Sequence, residues 1–453
     1  MKKAVILFGL LILTFSGLFA DTITLEQVRS LALANSRSLA KYNLNIQSAD
    51  LNEKARVYSN LPTPSLGASA GMSLWNPTGA GPLSNPFNTF SAGASLSIRQ
   101  NIFQGGKSLV QKAINSLASE SARKGAQAEY FNVLGSADSA YYDVLKSAAS
   151  LDAAESALQI YVTSLNIAEV RYTNGMINLG DYLKAQSDKA SQENTRNQAK
   201  RDLALKTIIL KSLIGFTADP QPVDIDFSGY EDLIQRMGNL TDDDYNSLYS
   251  QFITQVNAVN PSLAQSMLAA KIAEENLTMA KRGFAPSLGA SFSTGLNYIP
   301  SNNTTSLSKT GLNQTGGSLS LSLSIPVDVW NIANNVDQSK IARDQANLDY
   351  ASASDQTVTN VQSGLMNALN YAEQIIYSRA ALDYAQKNFE FVQESYRLNQ
   401  SSVTDLENAS SQLNTSRNSL ITAQYGFMQS LATLRSLVAV DDEQKLVTML
   451  MGN

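Results

Sequence analysis

Ser318-Leu-Ser-Leu-Ser-Leu-Ser-Ile325 is a strict two-residue alternation, serines against Leu319, Leu321, Leu323 and Ile325. Successive strand side chains point to opposite faces, so one face is apolar and the other carries hydroxyls. Three more stretches read the same way. Leu66, Ala68, Ala70, Met72 and Leu74 alternate with Ser65, Gly67, Ser69, Gly71 and Ser73. Phe90, Ala92, Ala94, Leu96 and Ile98 alternate with Ser91, Gly93, Ser95 and Ser97. Leu288, Ala290 and Phe292 alternate with Ser287, Gly289 and Ser291. Each stretch is about ten residues, the length of a tilted strand that crosses a bilayer. Trp75, Phe90, Phe103, Tyr298 and Trp330 stand at the ends, where interfacial aromatic girdles belong. A small periplasmic sandwich would also alternate; a polar face of Ser and Gly favours a water-filled lumen. The loops at 76–89 and 300–316 are long, as at the extracellular end of an outer-membrane barrel.

These strands sit inside a duplication. Leu61-Pro-Thr-Pro-Ser-Leu-Gly-Ala-Ser69 recurs as Phe284-Ala-Pro-Ser-Leu-Gly-Ala-Ser291. Tyr172, Asp181 and Ala185 recur 224 positions later as Tyr396, Asp405 and Ala409. Residues 21–215 form the first repeat and 246–440 the second. A linker or small accessory element at 216–245 carries Pro220, Pro222, Gly229 and Gly238, and 441–453 is a tail. Each half reads as a helix (about 25–58; about 245–282), two strands, then a very long helical region broken once (about 106–214; about 331–440).

The long helical regions contain no proline. Leu145, Ala148, Leu151, Ala154, Leu158, Tyr161, Leu165, Ala168 and Tyr172 form a stripe at spacings of three and four. Leu365, Ala368, Ala372, Ile375, Leu382, Ala385, Phe389, Val392 and Tyr396 form another, interrupted by Arg379. Such stripes make amphipathic, coiled-coil-like helices. The breaks fall at 173–180 and 398–404, which puts Asp181 and Thr404 or Asp405 at N-cap positions. The remaining helical carboxylates read as a solvated face.

Composition narrows the function. The 453 residues include no cysteine and no histidine, which removes disulfides, thiolate chemistry, lipid attachment through Cys and the commonest general base and metal ligand. Only 16% are charged, against about 25% in soluble domains. Lys2 and Lys3, an apolar run from Ala4 to Phe15 and small residues at Ser16, Gly17 and Ala20 form a signal peptide, 1–20. Leu18 departs from the usual small residue at −3. The run is shorter than the ~20 residues of a spanning helix. Removing it takes two lysines and no acid, so the net charge of −5 becomes −7. An acidic chain without a Lys/Arg block is no nucleic-acid binder. Four strands cannot close a barrel, and open edges in lipid leave unpaired peptide groups. Two, three or four copies would give 8, 12 or 16 strands.

The order of elements resembles the TolC-type outer-membrane efflux and secretion ducts over nearly all of 24–440. It is carried by Arg171-Tyr-Thr-Asn-Gly175…Asp181, Ser395-Tyr396…Asp405 and Gly105-Gly106 after Phe103, in both halves. The resemblance implies an α+β membrane protein, a homotrimer with a 12-stranded β-barrel continued by a periplasmic α-helical coiled-coil barrel. It implies a passive, gated conduit of a tripartite efflux or type I secretion system. That conduit docks on a periplasmic adaptor (membrane fusion protein) and an inner-membrane pump, without catalytic residues, cofactor or metal. The family's lipid-anchored members need a Cys that this chain lacks. The family's two acidic gate positions fall on Asp405 and Asn408, so the second is not acidic. Glu407 would point elsewhere, one residue being a rotation of about 100°. The resemblance also implies a gate hydrogen bond between Tyr396 and Asp181, and an arginine latch that falls on Ser401 and is therefore absent. The adaptor-docking tips fall on Gly175 and Met176, and on Asn399 and Gln400. Read without the resemblance, Asp181 and Asp405 are helix caps and Tyr396 is core. The competing function is a structural or adhesive outer-membrane protein whose helices are a periplasmic spacer.

Overall fold

The computed structural model describes residues 22–58, 60–73, 89–216, 219–298, 312–398 and 400–452. The leader at 1–20, Trp75, Asn399 and the loops at 76–88 and 300–311 lie outside them. The order is β1 (Thr22–Ile23), α1 (Leu25–Asn35), α2 (Arg37–Tyr58), β2 (Thr63–Ser73), β3 (Thr89–Gln104), α3 (Lys107–Thr173) and α4 (Leu179–Ile214). Then come β4 (Gln221–Pro222), α5 (Glu231–Gly238), α6 (Asp242–Val259), α7 (Pro261–Lys281), β5 (Ser287–Tyr298) and β6 (Leu312–Ser324). The chain ends with α8 (Val329–Arg397), α9 (Val403–Val438) and α10 (Glu443–Met451). α3 has 67 residues and α8 has 69, each about 100 Å long at 1.5 Å per residue.

Two compact units share these elements. One is built from Ala40–Ala128 and Asn260–Thr357 and holds the antiparallel sheet β2-β3-β5-β6. Its register keeps the faces uniform: Leu66 opposes Leu96, Ile98 opposes Phe292, and Phe292 opposes Leu319. On the other face hydroxyls bond across strands, Ser65–Ser97 at 2.7 Å, Ser291–Ser320 at 2.7 Å and Ser293–Ser318 at 2.8 Å. A bulge between Asn101 and Phe103 shifts the register by one residue. That slip returns Phe103 to the apolar face, opposite Leu288. The apolar face is bare: Leu66 is 82% exposed and Leu319 81%. β2 and β6 are edge strands, each paired on one side among the described residues. β5 runs to Tyr298, about twice the stretch legible by alternation, because Thr294 sits on the apolar face and breaks the pattern.

The other unit comprises the chain up to Leu39, Glu129–Val259 and Val358–Asn453. Its main core packs the middle of α3 and α8 with α1, α4, α5, α6, α9 and α10, around Tyr142, Leu210, Phe252, Leu365, Phe427 and Leu446. Adding a Cβ to Gly426 would place it 2.5 Å from the Tyr371 ring, so α9 approaches α8 only because that side chain is missing. The segment read as a linker carries β4, which pairs in parallel with β1, and α5. The segment read as a tail is α10, with Leu446 and Leu450 buried. Arg379, the polar interruption of the second stripe, pairs with Glu231 on α5 at 2.6 Å.

Three readings are corrected. The helix at 25–58 is two helices parted at Ser36, whose backbone is extended. The helix at 245–282 parts at Asn260, whose side chain accepts from Leu263 N at 2.9 Å, with Pro261 at the first helical position. The helical carboxylates are not all solvated. Asp138 is fully buried, accepts from Arg29 Nε at 2.6 Å and forms an ion pair with Arg435 Nη2 at 2.6 Å. Arg29 also reaches Glu443 of α10 at 3.4 Å, and the Tyr230 hydroxyl donates to Glu443 at 2.6 Å. Burial pushes the Asp138 carboxyl above the usual carboxylate range, against the pull of Arg29 and Arg435.

Removing Asp138 leaves Arg435, only 2% exposed, as an uncompensated buried charge. Asp138→Ala should therefore cost about 3–5 kcal/mol. The midpoint of denaturant unfolding in detergent measures this; an unchanged midpoint would show that the network contributes nothing.

Candidate functional site: the hairpin tips

α3 turns into α4 through residues 174–178. Gly175 has φ +70°, Met176 N donates to Arg171 O at 2.8 Å, and Gly175 N donates to Tyr172 O at 2.9 Å. That is the six-to-one and five-to-two pattern of a Schellman stop. A Cβ on Gly175 would meet nothing within 4 Å, so backbone conformation alone demands glycine. Tyr172 and Tyr182 stack across the turn at 5.1 Å, with planes 4° apart. In the second tip Gln400 N donates to Ser395 O at 2.8 Å, the same six-to-one bond. The Ser401 hydroxyl donates to Val392 O at 3.2 Å, so the residue at the latch position serves its own turn.

The caps are not the residues expected. Asn178 caps α4, its side chain accepting from Asp181 N at 2.9 Å. Ser402 caps α9, its hydroxyl accepting from Asp405 N at 3.1 Å. The Asp405 carboxylate accepts in return from Ser402 N at 2.9 Å, a capping box. Both aspartates thus stand three residues inside the helix, where negative charge suits the helix dipole. The bond to Ser402 holds the Asp405 carboxyl below its ordinary value.

Below the turns lies a small core of Ala385, Phe389, Tyr396, Val403, Leu406, Ala409 and Leu413, with Ile160 and Ile167. Tyr396 is fully buried. Its hydroxyl has no well-formed hydrogen bond, and its polar neighbours are Arg171, Asp181 and Ser164. The hydrogen bond expected between Tyr396 and Asp181 is not made; Asp181 is felt there as a nearby negative charge. What Tyr396 meets instead is Arg171, a residue of the first-tip motif. Arg171 is 6% exposed, its guanidinium carbon lies 4.2 Å from the Tyr396 ring centre, and its Nη2 donates to Tyr396 O. A heptad line could have found it, since Ala157, Ser164 and Arg171 are all buried, whereas Tyr172, placed on the stripe, is 39% exposed. Lys184 of α4 bonds to Glu407 of α9 and, at 3.3 Å, to Asp188. Glu407 is thereby engaged within the chain, while Asp405 and Asn408 are exposed. Met176, at 63% exposure, and Gln400 are open at the tips.

The sequence pattern of the family described as "Outer membrane efflux protein" matches this chain twice, over 28–216 and 252–440. The chain belongs to the outer membrane efflux protein family. The two matches are offset by 224 residues, the same interval that separates Tyr172, Asp181 and Ala185 from their counterparts. Solved structures of the same fold include the Campylobacter jejuni CmeC outer membrane channel, at TM-score 0.75 and 16% identity, covering 94% of this chain and 89% of that one. The Vibrio cholerae outer membrane protein VceC has TM-score 0.73 and 15% identity, covering 92% and 96%. CusC has TM-score 0.74 and 18% identity, covering 91% of each chain. No curated protein matches the chain. Membership makes this an outer-membrane efflux protein with a large periplasmic helical portion, in place of an adhesive spacer.

Gly175→Ala should cost about 1–2 kcal/mol of local stability, the strain of a left-handed backbone. Hydrogen exchange at Met176 should quicken. The Asp405–Ser402 capping box depends on pH. The folded pKa of Asp405 is depressed, so its contribution is present above the ordinary carboxylate value and is lost as pH falls through the folded one. Exchange protection of the first turn of α9 should fall with acidification in the wild type, and much less in Ser402→Ala.

Proposed function

We propose that three copies close a 12-stranded barrel, four strands from each, and form a passive gated channel from periplasm to exterior. The observation that supports it best is the open sheet. It has one serine face, one exposed leucine face and two edges unpaired among the described residues, beside the family membership. Peptide groups at an edge cannot stay unpaired in lipid, so copies of the chain must complete the ring. Among the described residues no helix is long and apolar enough to cross a membrane. The energy for export then comes from an inner-membrane pump, reached through a periplasmic adaptor that meets the tips at Gly175, Met176, Asn399 and Gln400. Exposed Met176, Leu179, Leu183 and Leu398 give that contact apolar surface. The gate is assigned to Asp405, Asn408, Asp181 and Tyr396.

Light scattering of the detergent-extracted protein, detergent subtracted, should give three times the mature chain. A monomer stable in plain buffer would remove the strands from the membrane and the channel with them. Three copies of Asp405 should favour cations, because a ring of carboxylates repels anions. Asp405→Asn should lower cation selectivity in planar bilayers; unchanged conductance and selectivity would exclude Asp405 from the gate.

A further inference from the structure

α8 ends at Arg397, and the last carbonyls of any helix lack intrahelical donors. Here Glu394 O is taken by Leu398 N and Ser395 O by Gln400 N. Tyr396 O is taken by Arg171, which comes from the other hairpin, 225 residues away in sequence. The same guanidinium lies over the Tyr396 ring. A cation at a helix C-terminus is favoured by the dipole, and over an aromatic face by the ring quadrupole. Both effects gain strength when water is excluded, and Arg171 is almost wholly buried.

We propose that Arg171 is the tie that holds the two hairpin tips of a chain together in the resting channel. It acts through the face of the Tyr396 ring and the Tyr396 carbonyl, not through the Tyr396 hydroxyl. This rests on the channel reading and assigns a gate residue that the acidic positions do not include. It accounts for how a tip with serine at position 401 is held. Among its described residues the second tip carries no cation directed inward: Arg397 pairs with Glu394 at 2.7 Å on the exposed side of α8. The first tip supplies one. Lys184–Glu407 is a second crossing between the hairpins, but both side chains are about one-third exposed, so salt screens it.

The two halves of Tyr396 separate this tie from a hydroxyl latch. Purified trimers are reconstituted in planar bilayers and the open fraction is read. Arg171→Met should raise the open fraction about tenfold, the scale of one desolvated cation–π contact. Arg171→Lys keeps the charge but loses the planar fork, and should give an intermediate rise. Tyr396→Leu should open the channel like Arg171→Met. Tyr396→Phe keeps ring and carbonyl and should stay closed like the wild type. If Tyr396→Phe opens as far as Arg171→Met, the hydroxyl is the latch and the tie is overturned. Wild-type opening in Arg171→Met also overturns it; if that variant yields no trimers, wild-type opening in Arg171→Lys does the same. Failure of the channel reading looks different, because no variant, wild type included, would then conduct at all.

Discussion

A peptide N–H or C=O in hydrocarbon has no water to bond to, and the proposed barrel answers that constraint. Four antiparallel strands satisfy each other inward from β2 and β6, and nothing among the described residues satisfies the outer edges. The same solvent explains the composition of the strands. Leucines can face lipid at no cost, so they need not be buried within the chain. Serines on the opposite face bond to one another, which pairs their hydroxyls without charge. The bulge at Asn101–Phe103 belongs to this scheme: without it the large aromatic would turn to the serine side.

Helices of 67 and 69 residues need a different support. A helix that long is held by neighbours more than by propensity, and its seam must stay continuous. Alanine and serine along α3 let packing stay close where larger side chains would hold the helices apart. The helices stop only where the backbone is given partners. Gly175 closes α3, Asn178 opens α4, and the Ser402–Asp405 box opens α9. The tips are therefore sharp and built from local bonds, which leaves the buried side chains beneath them free to join one hairpin to the other.

Most of the architecture was legible because two periods, two and three-to-four, are strong and are written twice. The second stripe is buried or half-buried from Leu365 to Tyr396 as read. What escaped reading depends on contacts between segments far apart in sequence. Asp138 looks like any solvated helical carboxylate until Arg29 and Arg435 are brought to it from 109 and 297 positions away. Ser36 breaks a helix without proline or glycine, so no breaker signal marked it. The caps were misplaced by two or three residues, because an aspartate at the third helical position, paired in a capping box in α9 and behind the Asn178 amide in α4, resembles a cap itself. An arginine on a helix reads as surface, so nothing in the local sequence marks Arg171 as buried.

The departures that the resemblance to the ducts implies cluster in the second tip. It expects an arginine at Ser401, an acid at Asn408 and a glycine at Asn399, while the first tip carries the expected Gly175 and Asp181. Ser401 and Asn408 are both uncharged, so these positions give the second tip neither an acid nor a cation. A guanidinium brought from the first tip needs no acidic partner, because an aromatic face and a helix-end carbonyl both accept positive charge while neutral themselves. Burial pushes the Tyr396 phenol up, so that face stays neutral as well. Such a contact is little screened by salt, unlike the half-open Lys184–Glu407 pair. A tip held by ring and carbonyl must be released by moving the helices, not by changing the ionic conditions around them.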